Sequence, residues 1–412
     1  MADTSEITVV GGGVTGLVAS IACAEQGASV RLLERHAALG GRGRSTDGPY
    51  RANFGPHVLY ANGTLFPWLK ERGLLPPLAR PPLGGVRFRV GGAARRLPPT
   101  ALASAVARLW RVREAPHDLD FRSWASGRVG ERGAQLLARS AGVYCFHHDP
   151  GELSAAFVWA RWRQAFVNPT LKARYVTGGW SSLIAALDAG ARERGVRIET
   201  GTAVHELPPG PAIVATELPD ARRLLGDETL HWPSGATVAL DLGLRRRRGE
   251  PFVVWDLDEA GWIERFTAPD PTLAPDGEEL VQAQLPLRPG ESADDAERRL
   301  EALLDTGLGS GWRERVTFRR RMTLVARSGA LDPPGTTWRD RPAIDRGGGI
   351  FLAGDAVAAP GLLSDPAATS ALEAARGALA WAGHAPGSAA PGAAAPGAAA
   401  QPAGLRAETS RL

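Results

Sequence analysis

Near its N-terminus the chain reads Val9-Val10-Gly11-Gly12-Gly13-Val14-Thr15-Gly16-Leu17, which sets a G-x-G-x-x-G spacing on Gly11, Gly13 and Gly16. The chemistry this spacing serves is capture of a dinucleotide pyrophosphate. Gly11 allows a tight turn, Gly13 lets the backbone approach phosphate, and Gly16 permits close helix–strand packing. Val14 and Thr15 would open a helix whose free N–H groups and positive dipole end face the anion. Glu34, followed by Arg35, closes the next apolar run, where a carboxylate accepts hydrogen bonds from ribose hydroxyls. The spacing alone is a weak signal, so its weight depends on the elements around it.

Those elements have the required order. Ile7–Val10 is a short β-branched run, and Leu17, Val18, Ile21 and Ala22 continue it as a helical pattern that Gly27 would end. Val30–Leu33 reads as a second strand. From about residue 65 to 166 the pattern is helical with Pro-rich breaks, and Phe157, Trp159, Trp162 and Phe166 crowd one segment as core or as the wall of an apolar cavity. The α/β signal returns at Tyr175. Ser181 and Ser182 are placed to cap a helix after Gly178-Gly179, and strands follow at 196–199 and 212–215. Residues 236–244, 252–257 and 280–287 read as strands of a mixed sheet, with an amphipathic helix over 293–304. Strand 349–352 leads into Gly354-Asp355 and a helix over 366–381. Residues 386–412, rich in Ala, Pro and Gly, bury too little to offset ordering entropy and are expected to be disordered.

The fingerprint does not separate NAD from FAD; the segments downstream do. Leu39-Gly40-Gly41-Arg42-Gly43-Arg44-Ser45 resembles the glycine-glycine-arginine segment of the flavoprotein superfamily of amine oxidases, protoporphyrinogen oxidase and carotenoid (phytoene) desaturases. Four further segments and the single position Val204 share the resemblance, which covers most of the chain. Asn53-Phe54-Gly55-Pro56-His57 is similar to the loop beneath the flavin ring, and Tyr175–Leu183 to the Gly-Gly helix start. Val204 matches the position that holds adenine, and the strand ending in Ala215-Thr216 a turn near the flavin. Ile350–Asp355 matches the C-terminal motif whose Asp accepts from a ribityl hydroxyl, and Leu363 and Asp365 precede the helix aimed at the flavin pyrimidine. The resemblance implies FAD as cofactor, with Gly41 and Arg42 on its pyrophosphate side. It also implies an FAD-binding Rossmann-like domain of the glutathione-reductase type and a second, mixed-sheet plus helical substrate domain. The expected division is 1–65, 175–230 and 340–385 for the first and 66–174 and 231–339 for the second.

Departures narrow the branch. No Lys follows Lys172, and residues 356–370 hold no aromatic side chain, so the late Lys and the aromatic cage of amine oxidases are missing. This points to the desaturase-like branch. The short stretch from Val204 to Ile213 implies loss of a β-meander common in the family. The expected activity is dehydrogenation of an apolar small organic substrate, such as a secondary metabolite, by hydride transfer to flavin. The alternative is a non-redox flavin-dependent isomerase or cyclase, or, with no flavin, a scaffold. His57 is the candidate acid or base of the flavin-facing loop, or a hydrogen-bond partner of backbone or flavin.

Composition excludes other classes. Of 412 residues, 22% are charged, the formal net charge is only +4, and Lys occurs only at Lys70 and Lys172. The Arg, Ala, Gly and Pro excess reads as genomic coding bias, and the run Arg245–Arg248 as a solvated turn, so no nucleic-acid partner is expected. Cys23 and Cys145 fit neither a disulfide framework nor a metal spacing. His147-His148-Asp149 reads as a loop or cap because no third ligand is implied, so no metal is expected. With no secretory segment and no long apolar span, a soluble cytoplasmic enzyme acting on a small molecule is expected.

Overall fold

The computed structural model describes residues 6–166 and 172–383; the Ala/Pro/Gly-rich tail lies outside these residues. A five-stranded parallel sheet carries one part of the architecture. Its strands run in the order Ile350–Leu352, Ala212–Val214, Ile7–Val10, Val30–Glu34, Arg197–Thr200. Ile7–Val10 sits at the centre and is buried along its whole length, as an apolar strand covered on both faces should be. The helix Val14–Ala24 packs against the helices Trp180–Glu193 and Asp365–Trp381, burying Leu17, Val18 and Ile21 with Leu183, Leu187 and Ala371. Chain segments far apart in sequence thus end their strands along one edge of one sheet.

A second, seven-stranded sheet runs in the order Val316–Ala330, Ser234–Arg245, Glu278–Pro286, Trp262–Arg265, Val253–Asp256, Val86–Val90, Ala93–Arg95. All its pairings are antiparallel except that between Val253–Asp256 and Val86–Val90. Its two faces follow from strand alternation. Val254, Ile263, Val281 and Ala283 turn towards the helix Ala293–Leu308 and pack on Leu300, Leu303 and Leu304. Trp255, Trp262 and Glu264 take the opposite face. The helices Thr100–Leu109, Phe121–Ser140 and Ala155–Phe166 form a separate core around Trp124, Trp159 and Trp162.

Two expectations are corrected here, and one strand is added that the sequence analysis did not assign. The stretch from 65 to 166 is not purely helical: Val86-Arg87-Phe88-Arg89-Val90 alternates apolar and charged residues, and Gly91 and Gly92, with φ of 59° and 71°, turn it into a hairpin. The long strand Val316–Ala330 escapes periodicity reading because its arginines serve both faces. Arg319 and Arg321 reach Glu301 and Glu297 on the covering helix, whereas Arg320 between them pairs with Asp241 on the other side. Ser181 and Ser182 do not cap their helix; Gly179, at φ 84°, takes the N-cap position. Ser181 Oγ instead accepts from the Ser45 N–H at 2.8 Å, tying the helix to the segment after Gly41-Arg42-Gly43.

Candidate functional site

The carboxyl ends of the five parallel strands open onto one cavity of about 870 Å³, where ligands bind in open parallel sheets. Val10 leads into Gly11, whose φ is 108°. A Cβ added to Gly11 would lie 2.6 Å from the Ala215 carbonyl oxygen, and one on Gly16 1.9 Å from the Gly11 carbonyl oxygen, so both positions require glycine. Gly13 differs, since a Cβ there would have only the Gly40 carbonyl within 4 Å, at 3.9 Å. What lies beyond Gly13 is the cavity, lined there by Gly13, Val14, Thr15 and Gly41. No side chain caps this helix and no acid occupies its first turn, which leaves first-turn N–H groups and a positive dipole end facing open space. This set of groups fits a pyrophosphate.

The Gly-Gly-Arg segment is held against that turn. Gly40 N–H donates to the Gly12 carbonyl at 2.7 Å, and Gly41–Gly43 forms a single 3-10 turn that projects Arg42. Arg42 bridges Asp355 at 2.8 Å and Glu217 at 3.1 Å. Burial pulls against its charge, but the two carboxylates outweigh it and raise the guanidinium pKa. Burial likewise pushes Asp355 up, and Arg42 reverses this and holds it below the usual carboxylate range. Gly354 N–H donates to Ser370 Oγ at 2.9 Å, fixing the motif on the C-terminal helix.

Of the other sequence-derived residues, Glu34, Arg35, Val204 and Thr216 line the same cavity, as do Gly55, Pro56, His57 and Leu363. Glu34 accepts from Gly12 N–H at 2.7 Å and from His36 N–H at 2.8 Å. Leu363 sits at φ 58°, a left-handed conformation rare for a branched side chain. Gly16 serves packing behind the turn. Asp365 is corrected: its carboxylate turns away from the cavity and accepts from Thr64 N–H at 2.8 Å, at the start of the helix Leu65–Glu71. His57 is fixed rather than free. Its Nε2–H donates to the Arg42 carbonyl at 2.7 Å, its ring lies 4.6 Å from that of Trp180, and burial lowers its pKa to about 4. At neutral pH it is a neutral ring held against the Arg42 backbone. His147 Nδ1 bonds the Asp149 carbonyl at 2.8 Å, and among the described residues no three His, Cys, Asp or Glu side chains gather to hold a metal.

The sequence reading missed the far wall. Tyr60, Tyr144, Tyr175, Trp255, Trp262 and Glu264 all line the cavity. Glu264 is 2% exposed and accepts from Trp262 Nε1–H at 3.0 Å and from the Tyr175 hydroxyl. Burial pushes its carboxyl up to about 7, against the pull of those two donors. Burial also raises Tyr144 and Tyr175 well above the ordinary phenol range. An alternation in Trp262-Ile263-Glu264, with Trp and Glu on one face, was the available signal.

Residues 9–71 match the family described as NAD(P)-binding Rossmann-like domain. No curated protein matches the sequence. Among solved structures, an oxidoreductase from Methanosarcina mazei superposes with a TM-score of 0.70 at 16% identity, covering 89% of this chain and 99% of its own. Cyclohexylamine oxidase from Brevibacterium oxydans gives 0.67 at 16% identity, with 90% and 98% covered. Reduced UDP-galactopyranose mutase gives 0.68 at 13% identity, with 92% and 96% covered. The chain has the fold of these enzymes: a Rossmann-like nucleotide-binding unit joined to a second sheet-and-helix part. At the level of fold, the resemblance drawn from the sequence holds.

Proposed function

We propose that this chain is an FAD-dependent oxidoreductase of the dehydrogenase or desaturase-like kind, acting on a small, largely apolar molecule. The observation that carries this reading is one cavity with two unlike walls. One wall is a glycine turn, an open helix end and the Arg42–Asp355–Glu217 set; the other is aromatic. Segments 1–65, 175–230 and 340–385 would make the cofactor-binding part, and 66–174 with 231–339 the substrate part. The Gly11–Gly16 turn and Arg42 would hold the pyrophosphate, Glu34 the adenosine ribose, and Asp355 the ribityl chain. When bound, FAD supplies a two-electron acceptor for hydride.

The chain's own residues bind, orient and dry the substrate. Trp255, Trp262 and Tyr144 offer apolar faces that exclude water. Glu264 holds a proton below about pH 7 at the wall of the chamber, bonded to Tyr175 and Trp262. The amine-oxidase fold of one neighbour gives no ground for an amine substrate here, because the late Lys is absent. The fold of the mutase supports the second reading, a non-redox isomerase.

One experiment separates them. Purified protein should be yellow, and anaerobic addition of a substrate should bleach the visible flavin band stoichiometrically and persistently. Turnover without persistent bleaching would establish the isomerase, and colourless protein that takes up no FAD would sink both readings.

A further inference from the structure

Resting on the reading of the aromatic half as a substrate chamber, we infer that the chamber contains an anion site in which Arg161 pairs with a carboxylate on an otherwise apolar substrate. Arg161 belongs to the helix Ala155–Phe166, is 7% exposed, and lines the cavity. Its guanidinium lies over the Phe157 ring at 3.4 Å. Among the described residues it has no hydrogen bond and no ion pair, and it is not one of the groups with a further partner.

Other arginines shielded from water in this protein each have a carboxylate partner. Arg341 forms a fork with Asp332 at 2.9 and 2.8 Å, Arg320 meets Asp241 at 2.7 Å, and Arg89 meets Asp256 at 2.9 Å. A buried cation without a partner is costly, and a guanidinium keeps its charge rather than shedding it. Burial lowers Arg161 to about 10, which leaves it charged at neutral pH. The fork of donors therefore faces the cavity with its binding capacity unused.

The surrounding charges set the class of anion. Asp332 is committed to Arg341, and Asp355 to Arg42. The neighbouring Cys145 thiol is pushed by burial up to about 12 and stays neutral. Glu264 retains its proton below about pH 7. With the Arg341–Asp332 pair and Asp355 in its field, one cation free of a salt bridge matches a monoanion better than a dianion. A planar carboxylate also matches the guanidinium fork. The rest of the chamber, walled by Trp255, Trp262, Tyr144 and Phe252, takes an apolar skeleton.

The test is calorimetric titration of purified holoprotein with 3-phenylpropanoate, 3-phenylpropanamide and phenyl phosphate. The acid should bind at least about tenfold tighter than the amide, as a charge-assisted hydrogen bond implies, and tighter than phenyl phosphate. Arg161→Met should erase the preference, and Arg161→Lys should keep part of it, with flavin content and visible spectrum unchanged in both. Equal binding of acid and amide, no binding of either, or a preference surviving in Arg161→Met would overturn the anion site. Tighter binding of phenyl phosphate would overturn the carboxylate assignment. A changed flavin spectrum in Arg161→Lys would place the residue against the cofactor instead. Colourless protein that still prefers the acid would refute the FAD reading and leave the anion site standing.

Discussion

The two walls of the cavity are made by different means. The nucleotide-facing wall is largely backbone: strand ends, a glycine turn and a helix terminus, all positioned by one parallel sheet. The aromatic wall is side chains from a helix and from strands of a second sheet, such as Arg161, Trp255 and Glu264. Backbone sites tolerate sequence change everywhere except where a Cβ collides. Side-chain sites depend on residues that meet only after long-range pairing. Substitutions in the first wall should therefore remove the cofactor, whereas those in the second should alter what the chamber accepts.

The strongest break lies at Gly11. Alanine there is strained by a φ of 108° and would drive a Cβ to 2.6 Å from the Ala215 carbonyl. Left-handed strain and overpacking each cost about 1–3 kcal/mol. Because relief requires the central strand to part from its neighbour, the turn itself deforms. Gly11→Ala should purify with less than about a tenth of the wild-type flavin, read as the ratio of visible to ultraviolet absorbance, and with a lowered Tm.

How much of this was legible follows from the same contrast. Gly11, Gly13, Gly16, Glu34 and Asp355 announce themselves because their spacing is local and their chemistry depends on residue type. Asp365 misled for the same reason: it sits beside the motif in sequence, but Thr64 N–H, distant in the chain, claims its carboxylate. Glu264 was invisible because a single Glu in a four-residue strand looks like a surface residue until Tyr175 and Trp262 close over it. Arg161 was hidden among abundant arginines; what marks it out is that among the described residues it meets an aromatic ring but no hydrogen-bond or ion-pair partner.

In the chamber, Glu264 provides the next largest effect. Its folded pKa, about 7, lies above the ordinary carboxylate value of 4.5 because burial disfavours the charged form. The folded state thus holds a proton that the unfolded state has lost, so stability is full below about pH 4.5 and falls as pH rises through 7. The ceiling on this loss is about 3 kcal/mol, from 1.36 kcal/mol per pKa unit. Glu264→Gln keeps a neutral group of the same shape and should flatten the decline. Urea unfolding at pH 5 and pH 8.5 checks this: an equal decline in both proteins would mean that Glu264 titrates normally.

Arg42 tests the junction between the walls. Arg42→Met removes the guanidinium shared by Asp355 and Glu217 and leaves their charge facing the cavity. Flavin affinity should fall about tenfold, the size of one charge-assisted interaction. Arg42→Lys should recover only part of it, since one ammonium cannot fork between two carboxylates. Reconstitution titrations of stripped protein with FAD measure both. Unaltered affinity in Arg42→Met would show that backbone groups alone hold the cofactor.

The smallest effect belongs to the residue that looked most catalytic. His57 is neutral, donates to the Arg42 carbonyl at 2.7 Å and packs at a tilt against Trp180. With its pKa lowered to about 4 by burial, it carries no titration through the neutral range, where an acid or base would act. His57→Gln retains an N–H donor and should leave the pH profile of flavin reduction between pH 6 and 8 unchanged in shape. A loss within about threefold is expected from imperfect placement of the Arg42 backbone, the worth of one neutral hydrogen bond. Disappearance of a pH-dependent limb in His57→Gln would instead restore proton transfer to this ring and move part of the chemistry from the aromatic wall to the nucleotide side.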